Sequence, residues 1–381
     1  MNSEITIVGG GIGGLALALA AQRRRIKATV YEASDSVAPV GAGIWLPTNA
    51  MSVLERLGVA AAIEARGVPL SRIEIHDADD GLLQSVDLDP IASRYGFTTV
   101  AIRRADLHAV LLEALAPGTV QLGRRCASVE QGESFATVRF EDGEEVRAGL
   151  VVGADGINSK VRAAVDARVA LRYAGQTTWR GIAKLSAPQI PVDLSREIWG
   201  GRNRFGYSAV ARDEIYWFAP MVAPAGGRDE NSAVRENLSK AYADFPAPVV
   251  DILQATSHDS ILRTDLYELR SPSRWWRGRV VLLGDAAHAA TPNLGQGGAQ
   301  ALEDAWVLAE CLARYENIEH AFADYEHRRQ PRAHLVTSRS RYSGQLAHVT
   351  HPTLRRVRNA VLRAMPDAVT QRHFASLSVP A

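Results

Sequence analysis

Three strings in the chain set small residues and acids at spacings suited to a phosphate-bearing ligand. The first is Gly9-Gly10-Gly11-Ile12-Gly13-Gly14, with Glu32 eighteen residues beyond Gly14. In the G-x-G-x-x-G reading Gly9 makes a tight turn, Gly11 lets the backbone approach a pyrophosphate, and Gly14 admits close helix packing. Amides at the helix N-terminus then hold the phosphates, while Glu32 accepts a hydrogen bond from an adenosine ribose. Gly13 and Ala33 complete this candidate set. The motif specifies an ADP moiety and leaves NAD and FAD both open. The second string is Leu150-Val-Val-Gly-Ala-Asp155-Gly156, and the third runs from Arg279-Val-Val-Leu-Leu-Gly284-Asp285 to Gly295-Gln296-Gly297-Gly298. Each delivers an aspartate at the end of an apolar segment. Read from the residues alone, such an aspartate can cap the turn that follows it. There is no G-x-S-x-G elbow, no Cys/His cluster and no second G-x-G-x-x-G unit. Hydrolysis through that elbow, a metal site and a dedicated NAD(P) domain are therefore not expected.

The elements that must carry these strings can be read from periodicity. Glu4-Ile-Thr-Ile-Val8 alternates as a strand, Leu15 to Ala21 is built from helix formers, and Ala28-Thr-Val-Tyr-Glu32 is a second strand. Strands with a turn at Asp79-Asp80-Gly81 recur between Ile73 and Val86, and several extended segments between Leu171 and Val222 suit an antiparallel sheet. From Ala299 the pattern is helical almost to the end, with boundaries expected at Pro331, Pro352 and Pro366.

Composition bounds the function classes. At 381 residues, 46% hydrophobic and 22% charged, the chain can bury a sizeable core, and disorder is not expected. Cys126 and Cys311 are too few for a disulfide scaffold. The start lacks a basic n-region and no 18-residue apolar run occurs, so a cytoplasmic protein without an integral membrane segment is expected. The net charge of +1 argues against nucleic acid, but it conceals an asymmetry. From His327 to Ala381 ten arginines face one acid, Asp367, which gives the tail +9 and leaves −8 on the body. In that tail Leu354, Val357, Val361, Leu362 and Met365 recur at helical spacing among Arg355, Arg356, Arg358 and Arg363. Such a helix suits peripheral contact with an anionic membrane. The reading favoured here packs the apolar stripe on the acidic body and leaves the arginines solvated or ion-paired.

Taken together and in order, the three strings resemble the N-terminal fingerprint, DG motif and GD motif of the group A flavoprotein monooxygenases, over essentially the whole chain. The resemblance implies FAD, with Asp285 on the ribityl chain, Gly295 to Gly298 against the flavin pyrimidine edge, and Asp155 ordering the pyrophosphate region. It also implies an arginine on FAD oxygens, Arg104 with Arg103 as its rival, and a loop Gly41-Ala-Gly43-Ile-Trp45 beside the ring system. NADH or NADPH would bind transiently and reduce the flavin, and O2 would yield a C4a-hydroperoxide that hydroxylates a small aromatic or heteroaromatic ring. A flavin oxidoreductase without oxygen insertion and a non-catalytic FAD sensor are the rival readings. The implied fold is a discontinuous, three-layer, Rossmann-like α/β FAD domain (residues 1–72, 98–172 and 268–330). An antiparallel-sheet substrate domain (73–97 and 173–267) is inserted into it, and a helical segment (331–381) follows; monomer and homodimer are both open.

Within that superfamily, Gly201-Arg-Asn-Arg204-Phe-Gly-Tyr-Ser and Tyr216 resemble a segment of the bacterial urate hydroxylases in which an Arg and a Tyr face the substrate. The tract from Trp199 to Tyr207 looks more like the alkylquinolone 3-monooxygenases. Urate hydroxylases carry an acid after the GD-loop proline, where this chain has Asn293. An amide cannot act as a base for an acidic purine, so a hydroxylated or 4-oxo heteroaromatic, already nucleophilic, is favoured. Arg204, Tyr216 and Asn293 are thus the candidates for positioning substrate. Trp45, Trp179, Pro292 and Trp217 are the candidate pocket walls, and His288 is expected to pack behind the flavin.

Overall fold

The structure, a computed structural model, describes residues 4–36, 42–185, 190–230, 233–270 and 274–380. Two large sheets carry most of the fold. The first has six strands in the order Trp276–Arg277, Val280–Leu282, Leu150–Gly153, Ile5–Val8, Ala28–Tyr31, Val120–Gln121. It is parallel apart from the pairing of its first two strands. Ile5, Ile7, Val151, Val152, Val281 and Leu282 are all buried, as expected of parallel strands covered on both faces. The helices Ile12–Arg23 and Gly297–Arg314 pack together against this sheet, and the meander Cys126–Gln131, Ala136–Phe140, Glu145–Ala148 closes the same core. All three motif strings therefore end at one edge of one sheet.

The second sheet roofs that edge with seven strands in the order Leu262–Leu269, Leu171–Lys184, Glu214–Val222, Asn203–Ala211, Leu194–Gly200, Arg72–Asp77, Gly81–Asp87. Its pairs are antiparallel except Leu194–Gly200 with Arg72–Asp77, so the expected antiparallel sheet is mixed. The exception arises because the Arg72 strand comes from a much earlier stretch of chain. Register decides which side chains share a face, because directly opposed residues point the same way. Trp179 opposes Ala219, and Trp217 opposes Gly181 and Tyr207; these form the outer face, covered by the helices Val234–Ala241 and Val249–Gln254. Tyr216 opposes Ile182 and Ser208, Phe218 opposes Arg180 and Gly206, and Arg204 opposes Trp199; these form the inner face.

The C-terminal helices differ from expectation in two ways. A single helix, Ile318–Ala347, runs straight through Pro331, so the boundary expected there is corrected. A mid-helix proline costs about 3 kcal/mol, which the burial of Phe322, Tyr325, Arg329, Ala333 and Val336 on this helix offsets. Pro352 and Pro366 do mark helix starts, at Pro352–Ala364 and Asp367–Leu377. Second, only half of the favoured reading of the tail holds: arginines are ion-paired as expected, but most of the apolar stripe is exposed. Leu354, Val357 and Val361 are 60%, 55% and 57% exposed, whereas Arg355, Arg358 and Arg363 reach the body and Arg356 stays exposed. Arg355 Nε and Arg358 Nη2 donate to Asp77 at 2.8 and 3.0 Å, and Arg363 Nη2 donates to the Asp80 carbonyl at 2.6 Å. Asp77 is only 1% exposed, and leaving such a carboxylate unpaired costs more than exposing three aliphatic side chains. Of the apolar stripe only Leu362 is buried, with Met365 part-buried against the same small cluster. Among the described residues no helix is long and apolar enough to cross a membrane.

Candidate active site

The site begins where the first strand hands over to helix Ile12–Arg23. Gly9 takes φ +107°, a conformation side chains rarely adopt, and its carbonyl lies where a side chain on Gly14 would have to go. Gly11 opens onto free space, and Gly13 lies against Leu283 and Ala301. The first intrahelical bond runs from the Leu15 amide to Gly11, which leaves the Ile12, Gly13 and Gly14 amides without partners in the helix. Glu32 accepts from the Gly10 amide at 2.6 Å and from the Ser34 amide at 2.9 Å, with Ala33 half-buried between them. His108 Nε2 donates to the Gly10 carbonyl at 2.7 Å, a support that the sequence reading missed. Gly41 lies outside the described residues.

The two aspartates part company. Asp155 accepts from Ser159 Oγ at 2.6 Å and from the Lys160 and Val161 amides at 2.7 and 3.2 Å, so it caps its own turn. Burial pushes its carboxyl above the ordinary value, and those hydrogen bonds oppose it. Arg162 then bolts this turn to the other, donating to the Ala286 carbonyl at 3.1 Å. Asp285 stands exposed at the head of helix Asp285–His288, and its side chain takes no hydrogen bond from a described residue. Arg104 lies in the same groove, open to solvent yet walled by protein. Enclosure pushes its guanidinium down, and Asp285 pulls it back up. Arg103 is captured elsewhere, by Asp106 at 2.6 Å and Glu214 at 3.2 Å, which leaves Arg104 as the groove arginine.

The GD loop leads into helix Gly297–Arg314. Gly295 lies against the Trp45 ring, Gly298 against Ile44, and Gly297 opens onto free space. The first helical bond, from the Gln300 amide to Gln296, leaves the Gly297, Gly298 and Ala299 amides at the positive end of an 18-residue helix. Behind the loop lies a buried polar network. Gln296 accepts from Asn49 at 3.1 Å, and Asn49 donates to Glu303 at 2.5 Å. Asp304 accepts from the Gly284 amide at 3.0 Å and from Arg329 at 2.7 Å, and lies 2.6 Å from His288 Nε2. Burial drives the Asp304 carboxyl upward, but His288 and Arg329 outweigh it and hold it down at about 2. His288 is thus packed behind the loop, against Trp275 at 5.0 Å.

The substrate-facing candidates assemble between the loop and the inner face of the roof. Arg204, 2% exposed, donates from Nε to Glu197 Oε1 at 2.7 Å and from Nη1 to Asn293 Oδ1 at 2.8 Å. Asn293 Nδ2 donates to Thr291 Oγ1 at 2.9 Å and to the Ser340 carbonyl at 3.0 Å, over Gly344, where a side chain would collide with it. Tyr216 packs its ring on Gly43, which must be glycine for that reason. Burial raises the Tyr216 phenol, and Arg180 and Arg104 lower it. Trp45 donates to Ser208 Oγ at 3.0 Å and meets Phe218 edge-on at 6.0 Å. Pro292 is exposed at the start of the loop's short 3-10 turn.

Trp179 and Trp217 are corrected as pocket walls. Trp179 donates to Asp229 at 2.6 Å on the outer face, and Trp217 donates to Thr256 at 2.9 Å while stacking on Phe205 at 5.6 Å. Phe218 takes the inner place that Trp217 was expected to hold, as strand alternation requires. Glu197, also missed, reaches Arg204 across the hairpin in which Gly200 pairs with Asn203. The Gly201-Arg202 turn between them was the available signal.

The chain matches the FAD binding domain family over residues 2–340. It is 35% identical over 374 residues to aurachin C monooxygenase/isomerase of Stigmatella aurantiaca, covering 97% of each chain. It is likewise 35% identical over 374 residues to 2-heptyl-3-hydroxy-4(1H)-quinolone synthase of Pseudomonas aeruginosa, covering 97% of this chain and 96% of that one. Among solved structures, Klebsiella pneumoniae HpxO complexed with FAD and uric acid superposes with a TM-score of 0.92 at 28% identity, covering 99% of this chain and 96% of that one.

Proposed function

Because the chain belongs to the FAD-dependent aromatic monooxygenases of the FAD-binding-domain family, we propose that it inserts one atom of O2 into an electron-rich heteroaromatic ring already bearing an oxo or hydroxyl group, a 4-quinolone-type ring foremost. FAD fits the groove on the groove's own terms. Gly11 and Gly297 leave space that a side chain would fill, and two helix starts present unpartnered amides. The side chains of Asp285 and Arg104 likewise have no hydrogen-bond partner among the described residues. In this reading the Ile12–Gly14 amides and Arg104 hold phosphate oxygens, Glu32 holds the adenosine ribose, Asp285 holds the ribityl chain, and the Gly297–Ala299 amides face the ring system. Bound FAD accepts hydride from NADH or NADPH and activates O2. The chain's own residues bind and orient the substrate and keep the reaction dry.

The observation that carries the substrate class is the pair Arg204–Asn293. Every polar atom of the Asn293 amide is engaged, by Arg204, Thr291 and Ser340, so this position of the loop offers no base. A ring that needs no deprotonation suits it, lying against Trp45, Phe218 and Tyr216. Turnover under ¹⁸O2 with quinolones, hydroxypyridines, hydroxybenzoates and purines tests this. One labelled oxygen is expected in a quinolone product for each NAD(P)H consumed. NAD(P)H oxidation without label in any product would return the chain to the oxidoreductase reading.

A further inference from the structure

Arg204 is held in a way that bears on which ring the pocket accepts. The Glu197 carboxylate meets it through one oxygen: Oε1 receives Arg204 Nε at 2.7 Å, lies 2.6 Å from Nη2, and receives Trp199 Nε1 at 2.9 Å. A guanidinium 2% exposed and paired with a carboxylate presents little net charge to a ligand. Glu197 itself is 14% exposed, and its second oxygen takes no hydrogen bond from a described residue. Register sets Glu197 directly opposite Gly206, which opposes Phe218, so the carboxylate stands beside the aromatic wall on the face turned to the loop.

We propose that Glu197 determines specificity at this end of the pocket: it neutralises Arg204 and leaves one carboxylate oxygen to accept a hydrogen bond from a ring N–H. A neutral, N–H-bearing 4-oxo heteroaromatic is then favoured, and an anionic ring is repelled. The inference rests on the heteroaromatic reading above and deepens it. Of the other cations near the inner face, Arg358 lies over the Trp199 ring at 5.0 Å and is itself paired with Asp77 at 3.0 Å. Arg104 sits opposite Asp285, and Arg180 lies beyond Phe218 and donates to Thr264 at 3.0 Å.

The test uses FAD-loaded protein and the perturbation of flavin absorbance on titration with 4(1H)-quinolone, its N-methyl derivative and 4-hydroxybenzoate. The parent should bind the quinolone at least tenfold more tightly than the N-methyl ring or the anion. Glu197→Gln frees the Arg204 charge and should move the anion-to-quinolone preference at least tenfold toward the anion. Glu197→Gln combined with Arg204→Gln removes both charges and should move it back; this second variant also guards against misfolding of the single one, since it leaves no buried cation unpaired. An unchanged preference in the single variant, or equal affinity of the parent for the N-methyl ring, overturns the proposal. The result separates from the monooxygenase reading. A preference that depends on Glu197 without ¹⁸O in any product sinks only that reading, and ¹⁸O in product with an unchanged preference sinks only the role of Glu197.

Discussion

Asp155 commits both carboxylate oxygens to its own turn, through Ser159, Lys160 and Val161, whereas Asp285 takes no hydrogen bond from a described residue and stands open in the groove. Both follow an apolar strand, so the strand alone does not separate the two roles. The difference lies in the residues that follow: Ser159 is near enough to turn back on Asp155, and Asp285 has no such neighbour. Asp285→Ala should therefore give folded protein, its stability within about 0.5 kcal/mol of the parent as for an exposed side chain. That protein should be largely colourless, and full flavin absorbance after gel filtration would remove Asp285 from the cofactor site. Gly9, Gly13 and Gly14 were legible because turn geometry and close approach admit no other residue there. Arg103 and Arg104 were not, because adjacent residues at a strand-to-helix junction differ only in direction, and Asp106 with Glu214 decides between them. Glu197 was hidden for a related reason, since it meets Arg204 only once the hairpin closes.

At the scale of elements, strand alternation corrects a reading made on aromatic character alone. Trp217 and Phe218 are consecutive, so one must face the helices behind the roof and the other the cofactor groove. The choice follows from Tyr216, whose ring sits on Gly43 and fixes the even-numbered residues inward. Trp217→Ala should then destabilise the protein by about 3–5 kcal/mol as a core cavity. Ligand affinity of the fraction that remains folded should not change. Denaturant unfolding followed alongside flavin titration checks both, and a selective loss of ligand affinity would put Trp217 back in the pocket. The parallel FAD-domain core was readable throughout, because its strands are near-continuous apolar runs. The helix that passes through Pro331 was not readable, because its continuity rests on tertiary contacts, among them Arg329 with Asp304.

For the whole molecule, the +1 total is a cancellation made physically: a −8 body and a +9 tail are in contact. Arg355 and Arg358 converge on Asp77, and Arg341 donates to Glu268 at 3.0 Å. Burial raises the Asp77 carboxyl, but hydrogen bonds from Arg355, Asn359 and the Asp79 amide, with the Arg355 charge, together outweigh it, and the group ends below its ordinary 3.8. A depressed carboxylate contributes its stability above the unfolded value and loses it as pH falls through the folded one. Asp77→Asn should cost about 3 kcal/mol, since it leaves the buried Arg358 without its acid, while Arg355 keeps Asp79 at 2.8 Å. Limited proteolysis should then release the last two helices at neutral pH, and the parent should reach the same susceptibility only in acid, below pH 3.8. Equal protection of the tail in both proteins at pH 7 would show that Asp77 does not anchor it.

The Asp77 anchor also has a consequence in time. Its partners Arg355 and Arg358 lie 278 and 281 positions further along the chain. At translation rates of about 5–20 residues per second, that strand is made roughly 14–56 s before its cations. Until then Asp77 can stay hydrated only if its strand is not yet sealed against the rest of the protein. The part of the roof nearest Arg204 is thus begun early and finished last, and a ribosome that stalls before Arg355 leaves a sheet whose buried acid has nothing to meet.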